Sequence, residues 1–342
     1  MKRFLQYINK FLPCRQSRDI ALVLGGGGAR GFAHIGVIEV LQERGYNITS
    51  VAGTSMGALV GGLFAAGKLD ELKSTVLSAD RRQILSLLDV SLGLDHIATA
   101  DNLSQLFDRM TQGVRIEDLP LPFCCVASDL VSGREHVFRE GSLSEAVRAS
   151  ISIPGVFSPV RIGSEVLVDG SLHNTLPLNR VERRKGDMLV AVNACAPDSG
   201  TKSGYLQQRP KPQKPQGRVS KWIRQRVPKL NFQLSENYLN MAMRVAQVAV
   251  ETNAQMAIAL TPPDICVDIP TDAFGLIDFE RGSEIIEYGR KAMEKALAEY
   301  KKYEPTLKSK ACLKCLYFTI IIFDLCRYLE YFSYLYTINQ TE

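Results

Sequence analysis

The 342 residues are enough for one large α/β domain with a sizeable core, or for two small ones, and their apolar and charged fractions, 46% and 23%, are those of an ordinary soluble protein. No stretch of about twenty apolar residues occurs, so no membrane-spanning helix is expected. The eight cysteines are scattered without zinc spacing, which excludes a structural zinc site and fits a reducing compartment; the single C-x-x-C, Cys312 to Cys315, has no second pair.

The net charge of +5 is mild but unevenly placed. Residues 1–18 carry Lys2, Arg3, Lys10, Arg15 and Arg18 and no acid. Their apolar stretch is broken by Gln6, Asn9 and Lys10, so they do not read as a signal peptide. They fit a short interfacial helix with Phe4, Ile8, Phe11 and Leu12 on one face. Residues 20–24 form an apolar run ending in four glycines, and helical spacing follows over 31–44. Residues 48–53 read as a second strand and 55–66 as a tightly packed helix. Further strands are expected at 123–128, 165–168, 188–193 and 265–269. Helices are expected near 70–90, 101–110, 142–150, 233–258 and 280–303. Strands alternating with helices, apolar on both faces, predict a mostly parallel sheet covered on both sides.

Two segments break the rhythm. From Ser199 to Leu230 there are nine basic residues and no acid, within a Pro-rich excursion at 197–230. Residues 306–342 form an apolar, aromatic tail. Basic appendages on a folded body point to an anionic surface or to plain solvated segments.

The glycine run Gly25-Gly26-Gly27-Gly28-Ala29-Arg30-Gly31 lies between a strand and a helix. Bare main-chain N–H groups and a helix start suit an anion there, whether a phosphate or a transition-state oxyanion. Gly26, Gly28 and Gly31 also match G-x-G-x-x-G, the dinucleotide fingerprint. That reading requires an acid at the end of the next strand, where Val51-Ala52-Gly53 has none. In its place stands Gly53-Thr54-Ser55-Met56-Gly57, a G-x-S-x-G between strand and helix, the setting of a nucleophile elbow; the plain alternative is a helix-capping serine.

The base is less obvious. The histidines are His34, His96, His136 and His173, and none follows residue 173, where the third member of a Ser–Asp–His order would lie. His34 sits on an apolar helix face, His96 and His136 in polar stretches, and His173 is the one serious histidine candidate. Glu165-Val166-Leu167-Val168-Asp169-Gly170 ends a strand in an aspartate able to face the same crevice as Ser55. Spacing does not separate Asp169 from Asp129.

Taken together and in order, these motifs resemble the patatin-like phospholipase family, its bacterial RssA-like branch in particular. The family pattern is G-G-G-x-R/K-G, then G-x-S-x-G, then D-G-A/G. Gly26–Gly31, Gly53–Gly57 and Asp169-Gly170 match it, as does the block Arg148–Pro154 followed by Phe157 and Pro159, with Asn174 and Pro177 after the aspartate. Ser171 departs from the usual Ala or Gly.

The resemblance implies a three-layer α/β/α sandwich over residues 19–305. It implies a Ser55–Asp169 dyad without histidine, Gly53 and Gly57 in the elbow, and an oxyanion loop of Gly26, Gly27, Gly28, Arg30 and Gly31. Arg30 either steadies that loop or meets a phosphate, the structural role being favoured. The implied activity is lipid acyl hydrolysis through an acyl-serine, with no cofactor, no metal and no nucleic acid partner. The expected setting is cytoplasmic, peripheral to an anionic inner membrane face. A silent regulatory or lipid-binding protein, or an acyltransferase using the same serine, are the alternatives.

Overall fold

The computed structural model describes residues 18–78, 83, 86, 101–198 and 232–301. The expected N-terminal interfacial helix, nearly all of the Pro-rich excursion and the aromatic tail lie outside the described residues. Contacts divide the chain after Glu294. Of the second unit, 295–342, the described part is the helical stretch 295–301.

In chain order the strands are β1 (Asp19–Leu24), β2 (Asn47–Thr54), β3 (Phe123–Asp129), β4 (Arg134–Phe138), β5 (Val160–Ile162), β6 (Glu165–Asp169), β7 (Met188–Ala196) and β8 (Ile265–Pro270). The helices are α1 (Ala33–Glu43), α2 (Met56–Ala65), α3 (Leu69–Ser78), α4 (Asp101–Thr111), α5 (Leu143–Ser150), α6 (Phe232–Leu260) and α7 (282–301). The end of the helix expected at 70–90 falls outside the described stretch 18–78, apart from helical Gln83 and Ser86. α5 opens on a sequence-encoded cap: the Ser142 hydroxyl accepts the Glu145 N–H, in the S-x-x-E pattern.

Strand pairing runs β5–β6–β3–β2–β1–β7–β8, with β4 also joined to β3. β1, β2, β3, β7 and β8 are mutually parallel, whereas β4, β5 and β6 pair antiparallel. The central parallel strands β1, β2, β3 and β7 are buried along nearly their whole length, because a strand covered on both faces has no polar side to show, whereas β8 at the edge exposes Asp268. Ala21, Val23, Ala52, Cys124, Leu189 and Ala191 pack on one face with Ala254 of α6, Leu176 and Leu178. On the other, α2 lies so close that a Cβ on Gly61 would be 2.9 Å from Val51 and 3.3 Å from both Leu24 and Phe123. Helices on both sides of one sheet make the three-layer sandwich that the alternation predicts.

The pairing of β3 brings two distant motifs together. β4 runs along β3 from Cys125 to Asp129. The opposite edge is shared: its first part takes β2, ending at Thr54 opposite Val126, and its last part takes β6, with Asp169 opposite Ala127. β2 is parallel to β3 and β6 antiparallel, so their carboxyl ends meet head to head. Ser55 and Asp169 are therefore adjacent by register, although 114 residues apart.

Candidate active site

Ser55 follows the last residue of β2 and caps α2, with φ 54° and ψ −123°. A side chain rarely adopts this conformation, and the strain is about 1–3 kcal/mol. It is held from both sides. The Ser55 N–H donates to Ser150 Oγ at 2.9 Å, and that hydroxyl donates to the Val126 carbonyl at 2.6 Å. Ala58 N–H returns to the Ser55 carbonyl at 2.9 Å as the first turn of α2. The result is that Ser55 Oγ donates to Asp169 Oδ2 at 2.5 Å, with both residues buried. Ser55→Gly is expected to be about 1 kcal/mol more stable than Ser55→Ala in thermal unfolding, since both lose the hydroxyl and only glycine relieves the strain. Equal stabilities would show that the elbow stores none.

Asp169 is fixed as tightly. Its N–H donates to the Ser152 carbonyl at 2.9 Å, and its Oδ1 accepts the Ser171 N–H at 2.8 Å. Burial raises its pKa above the ordinary carboxylate value, while hydrogen bonds from Ser55 and Ser171 oppose that rise. Asp129, indistinguishable by spacing, has another use. Its carboxylate caps the turn between β3 and β4, accepting N–H groups of Val131, Ser132 and Val166 at 3.0 Å each. The Ser132 hydroxyl, ahead of these N–H groups, holds it well below the usual carboxylate range.

The three described histidines are elsewhere. His34 is fully buried, with Nε2 bonded to the Gly25 carbonyl at 2.8 Å, and burial lowers its pKa to about 4. His136 pairs with Glu165, and His173 Nε2 bonds to the Gly133 carbonyl at 3.0 Å.

The glycine loop divides its labour. Gly25 and Gly26 N–H groups are used in holding the loop, on Val192 and Thr175 carbonyls at 2.9 and 3.0 Å. Gly26 therefore contributes by its missing side chain: a Cβ there would lie 2.3 Å from Ser171 Oγ and 3.2 Å from Ser55 Cβ. Among the described residues, the Gly27 and Gly28 N–H groups make no backbone hydrogen bond. Arg30 is 3% exposed and its guanidinium faces inward. Nε donates to Ala194 O at 2.7 Å and Nη1 to Phe274 O at 3.1 Å, with Nη2 3.8 Å from Cys195 Sγ. This is the steadying role, reinforced by the Cys195 thiol donating to Gly26 O at 3.0 Å. Gly31 sits against Met56, whose Cγ would be 2.2 Å from an added Cβ.

Ser150 and Ser152 were not singled out as site residues from the sequence. Their signal was the Arg148–Pro154 block, which delivers one hydroxyl to the Ser55 N–H and one carbonyl to the Asp169 N–H.

Residues 22–181, which hold the glycine loop, Ser55 and Asp169, match the family model described as patatin-like phospholipase. That segment of the chain is similar to the patatin-like phospholipase family. An NTE family protein of Mycobacterium tuberculosis is 44% identical over 184 residues, covering 54% of this chain and 51% of that protein. A Kluyveromyces lactis protein named lysophospholipase NTE1 is 28% identical over 282 residues, covering 79% of this chain and 18% of that one. The chain thus spans about half the length, or less, of these relatives. Among solved structures, VipD from Legionella pneumophila shares the fold, with a TM-score of 0.51 at 14% identity over 83% of this chain and 67% of that one.

Proposed function

We propose that this chain is a serine hydrolase that cleaves acyl esters of phospholipids or lysophospholipids, with Ser55 as nucleophile and Asp169 as base. The observation that carries this reading is the 2.5 Å bond from Ser55 Oγ to Asp169 Oδ2, in a buried site beside the glycine loop. In the mechanism, Asp169 takes the hydroxyl proton as Ser55 Oγ attacks the ester carbonyl. The Gly27 and Gly28 N–H groups receive the oxyanion, and one such donor is worth roughly 10²–10³ in rate. The proton passes to the departing alcohol, leaving an acyl-Ser55. Water, deprotonated by Asp169, then releases the fatty acid and restores both groups.

A lipid surface as the place of action is supported by α6. Met241, Val245, Val248, Met256 and Leu260 expose 46–81% of their surfaces, a span whose outward charge is Arg244. A basic run precedes the helix in sequence. Among the described residues no helix is long and apolar enough to cross a membrane. Peripheral contact with an anionic bilayer is the reading this favours.

The test is fatty-acid release from vesicles of phospholipid and of lysophospholipid, with and without anionic lipid. Release that falls with salt, and that persists in His173→Ala, is expected. No release from either lipid, with a folded protein, would overturn the hydrolase reading. Loss of activity in His173→Ala would restore a histidine base.

A further inference from the structure

The stretch between β8 and α7, residues 271–281, lies outside the segment that matches the family model, yet it reaches the glycine loop. The Leu276 carbonyl accepts the Ala29 N–H at 2.9 Å, and the Phe274 carbonyl accepts Arg30 Nη1 at 3.1 Å. The Leu276 side chain lies against the same loop. A Cβ at Gly28 would be 2.8 Å from Leu276 Cδ1 and 3.0 Å from Leu276 Cγ, and the three atoms nearest that point all belong to Leu276. This half-buried side chain therefore packs on one of the two glycines assigned above to the oxyanion. Its neighbour Ile277 is 74% exposed.

The stretch is braced from behind. The Gly275 N–H donates to Asp278 Oδ2 at 2.8 Å, closing the turn that carries Leu276 and Ile277. The Arg281 guanidinium lies over the Phe274 ring at 4.6 Å, and that ring meets Tyr288 edge-on at 5.5 Å. Phe279 packs edge-on against Phe32, at 5.8 Å. A surface held this way is in place before a ligand arrives, so binding costs little ordering. Its chemistry is one-sided. Residues 271–280 carry Asp272, Asp278 and Glu280 and no Lys or Arg. A phosphate headgroup would meet like charge here, whereas a hydrocarbon chain needs only the apolar side chains.

We infer that Leu276 and Ile277 are specificity-determining residues, forming the apolar wall along which the acyl chain of the ester lies while its carbonyl oxygen is held by the glycine loop. This rests on the Ser55–Asp169 reading above. With the oxyanion on Gly27 and Gly28, the chain leaves the reacting carbon beside Gly28, where Leu276 stands. Ile277 extends the wall outward. Each methylene laid along it leaves water, so longer chains gain more, up to the reach of the two side chains.

The experiment measures kcat/KM for p-nitrophenyl acetate and p-nitrophenyl octanoate, both kept monomeric, in wild type, Leu276→Ala and Ile277→Asp. Fluorophosphonate labelling of Ser55 is followed in each. The octanoyl-to-acetyl ratio should fall roughly tenfold in Leu276→Ala. It should fall at least as far in Ile277→Asp, whose exposed position makes loss of folding an unlikely source of the change. A ratio equal to that of wild type in both variants would overturn the inference, because equal losses at both lengths mean that Leu276 only supports the glycine loop. So would an Ile277→Asp defect confined to vesicle substrates, which would make the lip a bilayer contact. Absence of Ser55 labelling in wild type would instead remove the dyad itself, and the inference with it.

Discussion

Ser55→Ala is expected to abolish ester hydrolysis, and Asp169→Asn to lower kcat on the order of 10⁴-fold with the fold intact, the scale set by removing members of comparable nucleophile–base units. The two losses should not add, because Ser55 and Asp169 work as one hydrogen-bonded unit at 2.5 Å. Burial raises the Asp169 pKa, and the sign of both pH effects follows from that. The base must be ionised, so kcat/KM falls as pH drops through a value above the ordinary carboxylate pKa of about 3.9. Stability runs the other way. A folded-state pKa above the unfolded one favours folding at pH below the unfolded value, and that contribution disappears as pH rises through the folded value. At neutral pH the buried carboxylate therefore costs stability, and Asp169→Asn should unfold at a temperature no lower than wild type. A marked drop in melting temperature would show that Asp169 is a structural anchor rather than a site residue held at a cost.

Gly57→Ala is expected to be the most damaging single methyl in the domain. A Cβ at Gly57 would lie 2.0 Å from the Leu24 carbonyl oxygen and 2.8 Å from that of Gly25. Both are backbone atoms at the end of a central strand, so no side-chain rotation relieves the clash. The cost should be about 3 kcal/mol or more, a fall of at least roughly 6 °C in melting temperature. Because α2 and the glycine loop are pushed apart, Ser55 labelling should be lost with it. Gly67→Ala is the contrast. Its φ is +72° but nothing lies within 4 Å of the added carbon, so strain alone, about 1 kcal/mol, is expected. Equal melting temperatures for the two variants would mean that the elbow relaxes around the extra methyl.

What was legible in the sequence was whatever repeats a simple physical pattern. β1, β3 and β7 are near-continuous apolar runs, and β2 is buried beyond its first residue, because both their faces are covered, and each lies where the sequence puts it. β4 and β5 were not anticipated: Arg134–Phe138 carries Arg, Glu and His, and Val160–Ile162 is three residues long, so neither has a buried period to read. The elbow serine was legible from the strand–glycine–helix setting. The choice of Asp169 over Asp129 was legible through the family's D-G pattern but not from spacing, since both end strands of the same sheet. It is made by register, with Asp169 on the edge of β3 that β2 vacates and Asp129 turned into its own N–H groups. Arg30, the cation in the glycine motif, was placed in the oxyanion loop as a member of the motif. Its donors face the Ala194 and Phe274 carbonyls, supplied by distant parts of the chain, and no local spacing encodes such partners.

The central claim, that Ser55 attacks and Asp169 takes its proton, is tested most directly by a fluorophosphonate probe with the labelled residue mapped by peptide mass. Wild-type protein should carry one label, on Ser55, at a rate that falls steeply in Asp169→Asn and to nothing in Ser55→Ala. A label on any other residue, or a rate unchanged in Asp169→Asn, would contradict it.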